Sequence, residues 1–222
     1  MLNSGFPFAL IAFAQLKLTA SMAAILNATT PMWSVLIGAI AFGGQFTVSK
    51  GLGLLLGVVG VAVLVGWSPL EPSLQTTLSI LAMLIATFCY GLSSNLTKKF
   101  LNGAPPLGAA VGSQLASSLA LALVLPFDLP RSLPNQTVIL CIFALGLVCT
   151  AVAYLLYFRL ILELGAEKAS TVTLIIPIFS MLWGTLFLGE QITLVKVLAC
   201  LIILSGVGLI INLTGSAAPN KL

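Results

Sequence analysis

Residues 177–196 read PIFSMLWGTLFLGEQITLVK, and residues 31–50 read PMWSVLIGAIAFGGQFTVSK. Laid side by side at an offset of 146 positions, the two stretches pair Pro31 with Pro177, Ser34 with Ser180, Gly38 with Gly184 and Gly43 with Gly189. Gln45, Thr47 and Lys50 fall on Gln191, Thr193 and Lys196, and further out Gly60-Val61 falls on Gly206-Val207. The register runs without a gap from 17–66 onto 163–212. Apolar composition alone matches Leu with Val by chance, but it does not align a proline, three glycines and a Gln-x-Thr-x-x-Lys loop. The chain is built from an internal repeat.

Composition says where such a repeat lives. Of 222 residues, 59% are hydrophobic and only 6% are charged, with a mean hydropathy of +1.18. Soluble domains carry about 25% charged residues, and no water-soluble fold of this length hides so much apolar surface behind so little polarity. The reading is a polytopic membrane protein. It excludes a soluble enzyme, a secreted disulfide scaffold and a nucleic-acid binder, since the nine cations form no basic block. The bilayer is its expected surrounding.

Apolar runs bounded by polar or Pro/Gly clusters predict helices over 21–43, 46–66, 76–97, 107–126, 137–158, 167–189 and 192–213. An apolar stub over 5–15 is too short to span. Ala12-Phe13-Ala14 mimics a signal-peptidase site, but no cation precedes Lys17, so no cleaved leader is expected. Cys89, Cys141, Cys149 and Cys200 lie in apolar stretches without CxxC spacing and are expected to be buried free thiols. With no histidine and no clustered carboxylates, metal chemistry lacks ligands, and no cofactor is expected.

The fold class implied is an all-α transmembrane bundle of inverted five-helix repeats, one complete and one partial. Residues 1–67 form the end of a first copy, 68–75 a linker, 76–213 a complete second copy and 214–222 a tail. On this register the first copy would begin about 70 residues before Met1. Five helices per copy is an odd number, so the copies must lie upside down relative to each other, as in many secondary transporters. Lys50, Lys98, Lys99, Arg159, Lys168 and Lys221 fall on one side, and Lys17, Arg131 and Lys196 on the other. The excess places the first side, with the C-terminus, in the cytoplasm of a cell membrane.

From Ala144 to Asn212 the residues resemble the EamA domain of the drug/metabolite transporter superfamily. The resemblance rests on Thr150-Ala151-x-Ala153-Tyr154, Leu164-Gly165-Ala166-x-x-Ala169-Ser170, Pro177, Leu188-Gly189-Glu190-Gln191-Ile192-Thr193 and the glycines Gly206 and Gly208. It implies a ten-helix carrier, many such proteins exporting amino acids or other metabolites. Where the family pattern has Gly-Glu, the first copy has Gly43-Gly44, which leaves Glu190 alone in that role.

Several polar residues are candidates for a substrate path. Pro31 and Pro177 are predicted near the middle of their helices, where each frees the carbonyl four residues earlier, those of Asn27 and Thr173. Unpaired carbonyls at that depth are tolerated only against protein or a water-lined cavity. Tyr90, Gln114, Thr150 and Tyr154 complete the path, the last two one turn apart on one face. Asn95 is a further intramembrane polar group, and Trp33 and Trp183 read as packing or interface residues. Glu190, gating or structural, stands at the start of the last helix, where a carboxylate suits the positive dipole end. Arg159 and Glu163 form an i,i+4 pair worth little. Gly53-x-x-x-Gly57 and Gly108-x-x-x-Gly112 are expected to allow close helix approach.

No charge is expected at mid-membrane, where an ion costs at least ~2.5–3.5 kcal/mol. A multidrug-cation exporter wants a buried carboxylate there, and a phosphate-sugar exchanger wants Lys or Arg. The reading is therefore a secondary transporter exporting small neutral or zwitterionic metabolites such as amino acids, by alternating access. A membrane enzyme is disfavoured because no acid–base set exists. The alternative is a non-transporting assembly or regulatory subunit derived from a truncated carrier. On that view the isolated chain would be unstable, aggregate or form a homodimer through its open flank.

Overall fold

The computed structural model describes residues 2–67, 73–100, 105–124, 134–156, 159 and 175–214. Every regular element among them is helical. The chain divides into two compact units, one holding residues 2–102 and 174–222 and the other residues 103–173 with Met1.

The larger unit contains α1 (Gly5–Ala14), α2 (Ala20–Asn27), α3 (Thr30–Ala41), α4 (Val48–Gly66), α5 (Leu74–Phe100), α8 (Ile176–Leu188) and α9 (Leu194–Thr214). The smaller contains α6 (Pro106–Val124) and α7 (Gln136–Gly146), which runs into a π-helical turn over Leu147–Val152. Among the described residues, four helical stretches are long and apolar enough to cross a membrane: Ala20–Ala41, Val48–Gly66, Leu74–Phe100 and Gln136–Leu156. Val111–Leu123, Ile176–Leu188 and Leu194–Ile210 are shorter apolar helices, as is the stub Gly5–Ala14. Of the predicted helix over 167–189, the part before 175 lies outside the described residues, as do Glu163 and Thr173.

The helix ends obey local chemistry. Thr19, Thr47 and Asn135 each cap a helix through the side-chain oxygen, accepting from the backbone N–H of Met22, Lys50 and Val138. Gly43 and Gly189 carry φ of +68° and +66°, a conformation glycine enters without a Cβ clash. After each, the next N–H returns to a carbonyl six residues back, Gly44 to Gly38 at 2.9 Å and Glu190 to Gly184 at 3.0 Å. In the loop that follows, the ammonium donates to Gln45 O from Lys50 at 2.7 Å and to Gln191 O from Lys196 at 3.1 Å. The two loops therefore share one backbone and one lysine bond at the same 146-residue spacing.

Inside the larger unit, α4 lies along α9, α1 and α3 pack on α5, and α2 packs on α8. Met22, Ile25, Leu26, Leu64, Met83, Ile203, Val207 and Ile210 are buried at the centre. Much apolar surface faces outward, including Leu55, Val58, Leu145 and Phe187, each more than 60% exposed. In water such a surface would aggregate; against lipid tails it is solvated.

Four expectations change at this level. The helix over 21–43 is interrupted at Ala28–Thr29, and Pro31 sits in the first turn of α3 rather than within a continuous helix. That position suits proline because its fixed φ is pre-set for a first helical turn. The run 137–158 contains the π-helical turn, where the Thr150 hydroxyl donates to Leu145 O at 2.9 Å, five residues back. Cys141 and Cys149 are exposed rather than buried, while Cys89 and Cys200 are buried, and all four are free thiols. Finally, a Cβ on Gly112 would meet nothing within 4 Å and one on Gly108 only Pro105 Cβ at 3.9 Å, so this pair marks no close approach among the described residues.

Candidate functional site

The break between α2 and α3 is the centre of the candidate path. Proline at 31 cannot bond to the Asn27 carbonyl, and the Thr30 hydroxyl takes that acceptor at 2.8 Å. Thr29 does the same for Leu26 O at 2.7 Å. The freed carbonyl of Asn27 is thus satisfied by the neighbouring threonine, the usual repair of a proline break in a membrane helix. The Asn27 side chain differs: its Oδ1 is buried with no hydrogen-bond partner among the described residues. An orphaned amide oxygen at that depth is a polar group awaiting a donor.

Beside the break, α3, α4 and α5 leave a cavity of about 290 Å³ lined by Thr29, Met32, Trp33, Leu54, Gly57 and Leu84, among others. Trp33 packs edge-on against Phe88 with centroids 5.6 Å apart. Trp183 meets Phe187 at 5.5 Å and remains 49% exposed. Gly91 lets α5 approach α3 so closely that a Cβ there would stand 2.7 Å from Trp33 Cβ. One turn further, Asn95 Nδ2 donates to Ser34 O at 2.8 Å and to Gly91 O at 2.9 Å, and Ser34 Oγ pairs with Ser94 Oγ at 2.8 Å. This polar clasp fastens α3 to α5.

At the far end of α2 stands Glu190. It does not serve the helix that follows it, whose start at Leu194 has Thr193 accepting from Lys196 N at 3.3 Å. Instead its carboxylate accepts from the N–H of Ala20 at 2.6 Å, the N–H of Ser21 at 3.2 Å and the Ser21 hydroxyl at 2.5 Å. These are the first amides of α2, so the dipole end it meets belongs to a helix 170 residues away in sequence. Lys196 stands 3.5 Å from the same carboxylate, both side chains under a tenth exposed. Ser180 adds a bond to Ala20 O at 2.9 Å. Gly184 leaves the room: a Cβ there would lie 3.0 Å from Glu190 Cδ and 3.1 Å from Ser21 Oγ. Burial works to raise the Glu190 pKa, but the Ser21 hydroxyl, the Ser21 and Ala20 amides and Lys196 outweigh it and hold the carboxyl below its ordinary value.

Of the path candidates, Asn27, Pro31, Tyr90 and Pro177 belong to the larger unit with Glu190, and Pro177 is fully buried in the first turn of α8. Gln114, Thr150 and Tyr154 belong to the smaller unit, and the Gln114 Oε1 is buried with no hydrogen-bond partner among the described residues. Residues that went unnoticed in the sequence are Ala20 and Ser21, which hold Glu190, and Thr30, which caps the Asn27 carbonyl. Thr30 was legible as a hydroxyl beside Pro31; nothing local marks Ser21.

Apolar helices broken at a proline, with uncharged polar groups at the break and, among the described residues, charges near helix ends, are the build of a membrane carrier. The EamA-like transporter family matches this chain twice, over residues 1–66 and 77–212, and the chain belongs to that family. It is similar to an uncharacterized transporter of Archaeoglobus fulgidus, 25% identical over 198 residues that cover 89% of this chain and 70% of the relative. A protein of known crystal structure shares the fold, with a TM-score of 0.59 at 20% identity, over 92% of this chain and 70% of the other.

Proposed function

We propose that this EamA-family transporter is a secondary carrier that exports small neutral or zwitterionic metabolites, amino acids among them, by alternating access. The observation that carries the substrate class is the distribution of charge. Among the described residues, Glu190 and Lys196 satisfy each other at a helix end, and Lys17, Lys50, Lys98 and Lys99 also lie near helix ends. What lies deeper is uncharged: Asn27, Thr29, Thr30, Ser34 and Asn95 beside Trp33. A substrate with net charge finds no counter-charge there, whereas one that carries its own opposing charges, or none, needs only hydrogen bonds.

The repeat supports the mechanism, since matching loops on two copies suit two halves that rock around a midplane site. The cation bias supports a cell-membrane orientation with the C-terminus in the cytoplasm. Proteoliposome counterflow tests the substrate class. Saturable exchange of neutral amino acids, competed by other zwitterions and indifferent to organic cations and sugar phosphates, is the expected result. Exchange confined to cations or to phosphate esters would overturn it.

A further inference from the structure

Of the joints that connect the repeat copies in the larger unit, α4 with α9 and α2 with the Glu190 loop differ most in chemistry. Along α4 and α9 the contact is backbone on backbone: Gly53 lies against Gly206, and Gly60 against Ala199 and Ile203. Nothing polar is exchanged between these glycines, so water gains nothing by entering, and separating them would forfeit close packing outright. The other joint, Glu190 with Ala20, Ser21 and Ser180, is polar throughout and lies at helix ends. Its carboxylate, its hydroxyls and the first amides of α2 all accept water as a substitute partner. A joint of this second kind can open and close at modest net cost, because folding only exchanges one set of hydrogen bonds for another.

The polar joint also has leverage. It grips α2 at its first residue, and seven residues on, the same helix ends at Asn27, beside the proline break. In the first copy the position matching Glu190 is Gly44, which has no side chain, so the two loops cannot hold their ends of the bundle equally.

We infer that Glu190 is a latch that holds one end of the substrate path closed by gripping the start of α2, and that the grip is released when that end opens. Glu190 is a positioning residue here, acting on the path through α2. The inference rests on the carrier reading above, and on the cation bias the latched end, which carries Lys17 and Lys196, is the non-cytoplasmic one. Ser21 and Ser180 complete the latch, and Lys196 keeps the carboxylate ionised and in place. Losing the charge removes the strongest of these bonds, and the resting protein then shifts toward the state open at the latched end.

Side-specific labelling tests this in the full chain, with Cys89, Cys141, Cys149 and Cys200 replaced by serine or alanine. Asn27→Cys, and separately Thr30→Cys, reports the path to a membrane-impermeant maleimide applied to either face. Glu190→Gln should raise labelling from the latched end by about tenfold and lower it from the opposite face. Glu190→Asp should restore part of the original bias. A thermal melt in detergent runs alongside. A lower melting point with unchanged labelling on both faces would make Glu190 a structural cap and end the latch. Labelling of neither reporter from either face would remove the path at the α2–α3 break, and the carrier reading of that site with it.

Discussion

Gly53 and Gly206 face each other so closely that a Cβ on either would stand 2.6 Å from the carbonyl oxygen of the other. The relationship is reciprocal within the repeat. At the 146-residue spacing Gly53 corresponds to Ala199 and Gly206 to Gly60, and a Cβ on Gly60 would likewise lie 3.2 Å from Ala199 O. Residue i of one copy meets residue j of the other, and j of the first meets i of the second, as across a two-fold joint. Lipid tails are as apolar as leucine, so only such close packing holds α4 on α9.

Gly206→Leu should therefore push the two helices apart and lower the detergent melting point, with a cost of about 1–3 kcal/mol from overpacking. Gly53→Leu should behave alike. Gly66→Ala is the control, because a Cβ there would meet nothing within 4 Å, and it should leave the melting point in place.

The proline break makes a double-mutant cycle. Thr30→Val removes the hydroxyl that satisfies Asn27 O and should cost about 1–3 kcal/mol for an acceptor left unpaired. Pro31→Ala supplies an N–H that reaches the same carbonyl. In that background Thr30→Val should cost much less, and additive losses in chemical or thermal unfolding would contradict the repair described here.

Acid should weaken the Glu190 joint in a defined direction. Its carboxyl has a folded-state pKa below the ordinary carboxylate value, so its contribution to stability is fully present above about pH 4.3, the unfolded value. As pH falls through the folded pKa, the contribution is lost. The gap in melting point between wild type and Glu190→Gln should be constant at neutral pH and close in acid. A gap that instead grows as pH falls would reverse the sign.

Asn95 binds α5 to α3 through Ser34 O at 2.8 Å and Ser34 Oγ at 3.3 Å, and also bonds Gly91 O of its own helix. Asn95→Leu keeps the volume and removes all three bonds, among them the one to Ser34 O. A loss of about 0.6 to 1.7 kcal/mol is expected, the range of hydrogen bonds between membrane helices. Ser34→Ala in that background should cost a further increment, because it removes the separate Ser34 Oγ–Ser94 Oγ bond.

The amino-acid sequence by itself determined that this protein is an all-helical membrane bundle with a repeated pair of helices. Helix limits predicted at 46–66 and 192–213 are observed as Val48–Gly66 and Leu194–Thr214. Those features are legible because hydropathy runs, proline and glycine punctuation and threonine caps act within one turn of chain. The matched glycines Gly43 and Gly189 belong to the same local code. The tertiary structure alone decided which helix Glu190 serves. A carboxylate beside Thr193 looks from its neighbours like a cap for α9, yet it caps α2, because folding brings that N-terminus within reach and Gly184 leaves space for it. The same holds for the two Gly-x-x-x-Gly pairs: Gly53 faces Gly206, while a Cβ on Gly112 would meet nothing within 4 Å among the described residues. Close approach needs a partner surface of matching shape, and in a membrane, where every helix surface is apolar, that partner is set by packing in three dimensions.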